Sequence, residues 1–272
     1  MLREEPDVRG ERSKMRFFFV AFIICITSLA TAEPTLAPSL MIDGKPDLDA
    51  VVKHFEDMYR SDSSISEAEL KVTKPRRERT LRMKVWTRGE EKALIVIQAP
   101  AREKGTATLK VEKNLWNYLP RIKRTIRIPP SMMLASWMGS DFTNDDLVRE
   151  SSFREDYTYE LAGRSEKPAG WLIRFNAKPD IVGLWKRFEL VVSDGEFLPL
   201  EAKYYDRKDR LSRTITWSDV KVFGGKKVPA RMTLIPHDKE GQKTEMVYFD
   251  IDFKANVPEK TFSLSSLERE RR

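Results

Sequence analysis

From residue 68 to residue 253 the chain alternates apolar and polar residues in short runs, and no other feature restricts its fold as tightly. AELKVTK, TLRMKVWTR, KALIVIQ, GTATLKVE, NLWNYLP, RTIRI, DYTYELA, GWLIRFNA, RFELVVS, LPLEAKYYD, SRTITWSD, KVPARMTLI and TEMVYFDIDF each read as strands. A period of two sends successive side chains to opposite faces of a sheet. Turn signals fall between the runs, among them Arg88-Gly89, Lys113-Asn114, Asp194-Gly195, Phe223-Gly224-Gly225 and Glu240-Gly241. Parallel neighbours would need a helical crossover between strands, and no room is left for one. The expected architecture is mainly β (α+β), an antiparallel sheet of ten or more strands. Strand twist accumulates in so wide a sheet until it curls.

One face of the curl is apolar. In Glu245 to Phe253, Val247, Phe249, Ile251 and Phe253 alternate with Met246, Tyr248, Asp250 and Asp252, and in the eighth run the apolar set is Trp171, Ile173 and Phe175. Such a face needs a cover, and the sequence offers two. The first is DLDAVVKHFEDMYRSDS, where Asp47 can cap a helix whose Val51, Val52, Phe55, Met58 and Tyr59 recur at helical spacing. The second is SMMLASWMGSDFTNDDL, residues 131 to 147, which places three methionines, a leucine and a tryptophan ahead of three aspartates.

The N-terminus reads as a secretory leader. Arg12, Lys14 and Arg16 precede the apolar run Phe17 to Ile26, and Ala30-Thr31-Ala32 offers a cleavage site, so residues 1–32 form a signal peptide and residues 33–272 one domain. An uncleaved anchor is the alternative, and translation from Met15 would leave a normal leader. The single cysteine, Cys25, lies in the apolar run after Ile23-Ile24, which leaves the mature chain without thiol chemistry or a lipidation site. Removing residues 1–32 takes away five basic and four acidic residues and leaves 44 against 38. This modest excess, interleaved with acids, argues against a nucleic-acid stripe and suits transient contact with anionic membrane surfaces. The densest basic run, RIKRTIR (121 to 127), reads as a basic edge strand in preference to a phosphate site.

The order of features resembles the outer membrane lipoprotein-sorting protein family, relatives of the periplasmic carrier LolA and its receptor LolB. KGTATLKVEKNLWNYLPRIKRTIRI, MGSDFTNDDL, DYTYEL, LPLEAKYYD, VPARMTL and NVPEKTFSL carry the resemblance, in that order. It implies a curved antiparallel half-barrel with covering helices around a hydrophobic cavity, carriage of lipoprotein or lipid cargo across the periplasm, and an inner-membrane exporter and outer-membrane acceptor as partners. Some relatives act instead as envelope-stress sensors through a membrane-protein partner. On this reading Met132, Met133, Leu134, Trp137, Met138 and Phe142 supply the lid, since methionine repacks readily around different ligands. Trp86, Trp116, Tyr118, Trp171, Ile173 and Phe175 supply cavity walls by strand alternation. Each of these residues serves equally well as plain core. The family also implies an arginine on an early strand that latches the lid; Arg82 lies in the comparable strand without a local match to the pattern.

Catalysis has one conceivable seat, the cluster Asp141, Asp145 and Asp146. Counted from Asp141, a calcium loop needs glycine at the sixth position and glutamate at the twelfth, where Asp146 and Ser152 stand. His54 and His237 are far apart in sequence, and no zinc-ligand spacing is present. A carboxylate pair for glycoside hydrolysis depends on geometry. Helix capping explains the cluster with less, because Thr143-Asn144-Asp145-Asp146 fits the [ST]-x-x-[DE] box. No cofactor and no enzymatic activity are expected.

Overall fold

The period-two runs become strands in the computed structural model, which describes residues 40–149, 153–181 and 183–269. The leader read from residues 1–32 and the start of the domain at residue 33 lie outside the described residues. A small hairpin of β1 (Met41–Ile42) and β2 (Lys45–Pro46) leads into α1 (Leu48–Asp57). Asp47 caps α1 as expected, its carboxylate accepting the Ala50 amide at 3.3 Å. Six strands follow: β3 (Ser63–Lys74), β4 (Arg77–Arg88), β5 (Lys92–Ala99), β6 (Ala107–Val111), β7 (Asn114–Leu119) and β8 (Arg124–Arg127). A crossing segment carries two 3-10 turns (130–132 and 137–139), α2 (Asn144–Arg149) and α3 (Phe153–Asp156). Seven more strands complete the sheet: β9 (Tyr157–Glu166), β10 (Ala169–Ala177), β11 (Trp185–Val192), β12 (Pro199–Asp206), β13 (Leu211–Phe223), β14 (Lys226–Pro236) and β15 (Lys243–Asp252). A 3-10 turn (259–262) and α4 (Leu264–Arg269) close the chain.

The order across the sheet is β8-β7-β6-β5-β4-β3-β15-β14-β13-β12-β11-β10-β9, antiparallel at every step. The chain therefore starts in the middle of the sheet, zigzags out to one free edge, crosses to the other edge, and zigzags back until β15 pairs with β3. The sheet is curved and stays open, because β8 and β9 do not pair. Two meanders joined by one crossover make up the sheet. The crossover, residues 128–156, must bridge the two rims, which is why the sequence could afford only one long interruption between strand runs.

The sheet is covered on both faces. α1 buries Val51 and Val52 in a concave cluster with Ile173, Phe175, Phe188, Leu190, Ile215 and Leu234. A second concave cluster holds Leu70, Leu81, Met83, Ile97 and Trp137. On the opposite face Val257, Phe262 and Leu267 of the C-terminal segment pack on Leu94, Val96 and Leu109. This explains KALIVIQ: Leu94, Ile95, Val96 and Ile97 are all buried because both faces of β5 are occupied.

One face assignment is overturned. A bulge between Tyr248 and Asp250 interrupts the β15–β3 register, so Met246 and Tyr248 face inward before it and Ile251 after it. Phe249 is left half exposed beside Arg82, and Val247 shares its outward row. A bulge adds one unpaired residue and shifts the alternation by one, which period counting does not register.

Candidate functional site

Small side chains make the cavity. The inward row of β3 contains Ser64, Ser66 and Ala68, set by register opposite Thr87, Val85 and Met83 of β4. Farther along the same row Leu70 and Val72 are large and fully buried. The space forms where the row is small and disappears where it is not. It is a cavity of ≈ 280 Å³, with Met83, Ile95, Met232, Met246, Tyr248 and Trp217 supplying apolar wall. Ligand sites of comparable size run from about 300 Å³ upward and pair apolar walls with a few polar groups. Here the polar groups include Ser64, Thr108, Lys110, Asp146 and Arg213. Ser64 and Thr87 satisfy one another at 2.7 Å.

The lid closing this cavity is the opening portion of the crossover, and its own backbone shapes it. Trp137 N–H bonds Phe142 C=O, Asn144 N–H bonds Ala135 C=O and Asp145 N–H bonds Met133 C=O, at 2.8–3.0 Å. Met138 and Gly139 both adopt left-handed φ (50° and 70°), which reverses the chain. A Cβ on Gly139 would stand 3.3 Å from the Arg79 guanidinium. Glycine is needed there for both reasons.

Side chains fasten this loop to the sheet. The Trp137 ring is buried, and its Nε1 donates to Thr108 Oγ1 at 3.1 Å on β6. Arg79, the inward residue of β4 ahead of Leu81, donates to the Met138 carbonyl at 2.7 Å while its other nitrogen holds Glu103 at 2.7 Å. The arginine on an early strand that bonds a carbonyl of this loop is thus Arg79. Arg82 points outward to Glu69. Asp141 accepts from Thr244 Oγ1 at 2.7 Å on β15, and its own amide donates back to that hydroxyl.

Thr143 and Asp146 form the capping box in full. Asp146 N–H donates to Thr143 Oγ1 at 3.1 Å, and Thr143 N–H donates to Asp146 Oδ2 at 2.8 Å. Replacing Thr143 by Ala is expected to cost about 1 kcal/mol. An unchanged denaturation midpoint would show that the cap contributes nothing.

Asp146 does more than cap. Its carboxylate receives both terminal nitrogens of Arg213 at 2.8 Å, a bidentate pair with little solvent access. The Arg213 guanidinium packs against two rings that meet edge to face, those of Trp185 (4.3 Å) and Tyr204 (4.4 Å). Burial alone would push the Asp146 carboxyl up, but the Arg213 charge and the hydrogen bonds from Arg213 and Thr143 outweigh it and hold the group below its usual range. Burial likewise works against the charge on Arg213, and Asp146 more than restores it. Register assembles this site: Phe175 pairs with Phe188, Phe188 with Tyr204, and Tyr204 with Arg213 across β10 to β13. The rings of Phe175 and Phe188 stack at 4.2 Å and those of Phe188 and Tyr204 at 5.0 Å, giving an aromatic ladder that ends on the cation.

The residues singled out from sequence divide by location. Trp137 and Phe142 line the cavity. Ile173 and Phe175 are buried in the concave core, Trp171 packs at its margin against Arg164, and none of the three reaches the cavity. Trp86, Trp116 and Tyr118 face the opposite side, under the C-terminal segment. Strand alternation fixes which residues share a face but not which face is concave, and the inward row of β4 is Leu81, Met83 and Val85. Met132 and Leu134 are about half exposed on the outer side of the lid, and Met133 and Met138 are partly covered but absent from the cavity wall. The methionines that do line it, Met83, Met232 and Met246, come from strands. Arg213, Ile215 and Trp217 were missed, although an arginine heading an inward row in SRTITW was a legible signal. The three aspartates do not converge: Asp141 is tied to β15 and Asp146 to β13. Among the described residues no three of His, Cys, Asp and Glu gather as metal ligands would.

An open antiparallel sheet wrapped on an apolar cavity and bridged by a fastened lid is the lipoprotein-sorting, LolA-like fold. Three solved structures share it: a DUF1329 family protein from Desulfovibrio piger (24% identity, covering 80% of this chain and 96% of that one, TM-score 0.72); a domain from Vibrio parahaemolyticus described as an outer membrane lipoprotein-sorting protein (23%, 80% and 97%, 0.71); and a LolA superfamily protein from Nitrosomonas europaea (22%, 80% and 98%, 0.67). A family model described as "Uncharacterized protein" matches residues 89–269, and the chain belongs to that family. The resemblance read from the strand and lid motifs holds at the level of the fold. No curated protein matches the chain in sequence.

Proposed function

We propose that this protein is a periplasmic carrier or chaperone that takes lipoprotein acyl chains or related lipids into the cavity, moves them toward the outer membrane, and releases them without covalent chemistry. The leader read in residues 1–32 would export it and leave a soluble mature chain. The observation that carries this reading is the apolar cavity formed at Ser64, Ser66 and Ala68 beneath a lid held by noncovalent contacts. Burying one methylene is worth about 0.8 kcal/mol, so a fourteen-carbon chain represents roughly 11 kcal/mol of gross transfer free energy. That is ample drive for capture, and the strand methionines allow the wall to repack around chains of different shape. Trp217 Nε1 is buried on the cavity wall without a hydrogen-bond partner among the described residues. Such a donor favours cargo carrying an acceptor, an ester or amide carbonyl for example, beside its apolar part.

Native mass spectrometry of the exported protein is expected to show co-purifying lipid, and an added lipid is expected to displace a fluorescent fatty acid. Ala68→Phe would place a ring in the cavity and is expected to weaken probe binding at least tenfold while preserving the β circular dichroism signal, at an overpacking cost of about 1–3 kcal/mol. Absence of lipid together with absence of probe binding would overturn the carrier reading.

A further inference from the structure

Between Glu112 and Asp141 the chain has no acidic residue and five basic ones, Lys113, Arg121, Lys123, Arg124 and Arg127. Among the described residues Arg121, Lys123 and Arg124 are exposed and have no carboxylate partner, and Arg127 bonds the Asn114 amide oxygen. Large apolar side chains stand exposed among them: Ile122 at 57%, Ile126 at 43%, Met132 at 49% and Leu134 at 51%. Charge alone on β8 would be explained by its place at a free edge, where basic residues discourage pairing with another chain. Four exposed apolar side chains work against that purpose, so edge protection does not account for the whole surface.

Register places part of this surface beside the lid. Ile126 pairs with Asn117, whose side chain accepts from Thr108, the residue that holds Trp137. Arg124 and Ile126 therefore lie on the lid side of the edge, and Met132 and Leu134 follow within the lid itself. Glu268, the acid nearest in contact, bonds Thr125 on the other side of the strand.

We infer that the β8 edge and the outer side of the lid form a docking surface for an anionic lipid bilayer, with the cations meeting headgroups and the apolar side chains entering the interface. On its lid side the surface carries positive charge without a carboxylate partner among the described residues, and interleaved apolar groups are what interfacial binding requires. The inference rests on the carrier reading only for why a lid should meet a membrane. Docking there would bring the lid's fastenings next to the bilayer that donates or receives cargo.

The mature protein is mixed with vesicles of equal parts phosphatidylcholine and phosphatidylglycerol, and separately with pure phosphatidylcholine, across a salt series. Binding to the anionic vesicles is expected, weakening with salt and weaker still on the neutral ones. Arg121→Glu/Arg124→Glu is expected to lower partitioning by at least roughly 30-fold, two surface cations' worth of attraction. Met132→Ser/Leu134→Ser should retain binding at low salt and lose it at physiological salt. Ala68→Phe should bind vesicles like the unmodified protein, which separates docking from cavity occupancy. Equal binding to both vesicle types, binding unaffected by charge reversal, or loss of binding in Ala68→Phe would overturn the inference. So would a salt-sensitive dimer abolished by Arg121→Glu/Arg124→Glu with no vesicle binding, which would assign the surface to a second copy.

Discussion

Replacing Arg213 by Ala is expected to destabilise the protein by about 3–5 kcal/mol, because it leaves the Asp146 carboxylate in a largely enclosed site without its counter-charge. A typical domain has only about 5–15 kcal/mol in total, so a fall of this size should be visible directly in a denaturation midpoint. Asp146→Leu/Arg213→Met removes both charges together and is expected to be far milder, since a buried pair is expensive mainly when broken. If the single and double variants lost the same stability, the contribution would lie in Arg213 packing against Trp185 and Tyr204. The pair also predicts a pH dependence. The folded-state value of Asp146 lies below its unfolded value of about 3.9, so the stabilisation is complete above that pH and is lost as pH falls from there through the folded value. Asp194, Asp209 and Glu259 are exposed and also held low by basic side chains, and the half-buried Asp206 is held low first by the Arg210 amide and then by its guanidinium, but all four remain in both proteins. The double variant should therefore lose less stability than the unmodified chain on acidification below about pH 4. Parallel melting curves for the two over that window would contradict the assignment.

Trp137→Ala should cost about 3–5 kcal/mol if the buried ring anchors the lid, as expected for deleting a fully enclosed tryptophan. Thr108→Val keeps the ring but removes both the acceptor for Trp137 Nε1 and the donor to Asn117 Oδ1, and should cost about 1–3 kcal/mol. Hydrogen exchange adds a spatial test. In Trp137→Ala the amides of Met133 to Asp146 should exchange faster while those of β10 to β13 keep their protection, because the aromatic ladder does not touch this ring. Uniformly faster exchange would mean that Trp137 supports the whole sheet, and the lid would then have no separate opening free energy.

Much of this molecule could be read without coordinates, for a physical reason that differs by feature. All thirteen strands of the large sheet were visible as period-two runs, although β3 begins earlier than AELKVTK implied. That shortened reading omitted Ser64 and Ser66, two of the three small residues that open the cavity. The Asp47 cap and the Thr143–Asp146 box were legible because each closes over three residues, a distance that local sequence contains entirely. The cavity wall was not. Trp86, Trp116 and Tyr118 were attractive by size, yet they sit beneath the C-terminal segment because the inward parity of β4 and β7 falls on their neighbours.

The sequence by itself determined the strand periodicity, the turns, the caps and the need for an apolar face with a cover, since all of these follow from residues within a few positions of one another. Tertiary structure alone decided which face became concave, through a topology that begins at the sheet's centre and crosses once between its edges, and through a bulge that reversed the alternation in β15. It alone brought Asp146 to Arg213, 67 residues away, and set Arg213 at the end of an aromatic ladder drawn from β10, β11 and β12. Periodicity is fixed by the backbone's own geometry. Partnership across the sheet is fixed by which strands pair and in what register, and no local pattern records that.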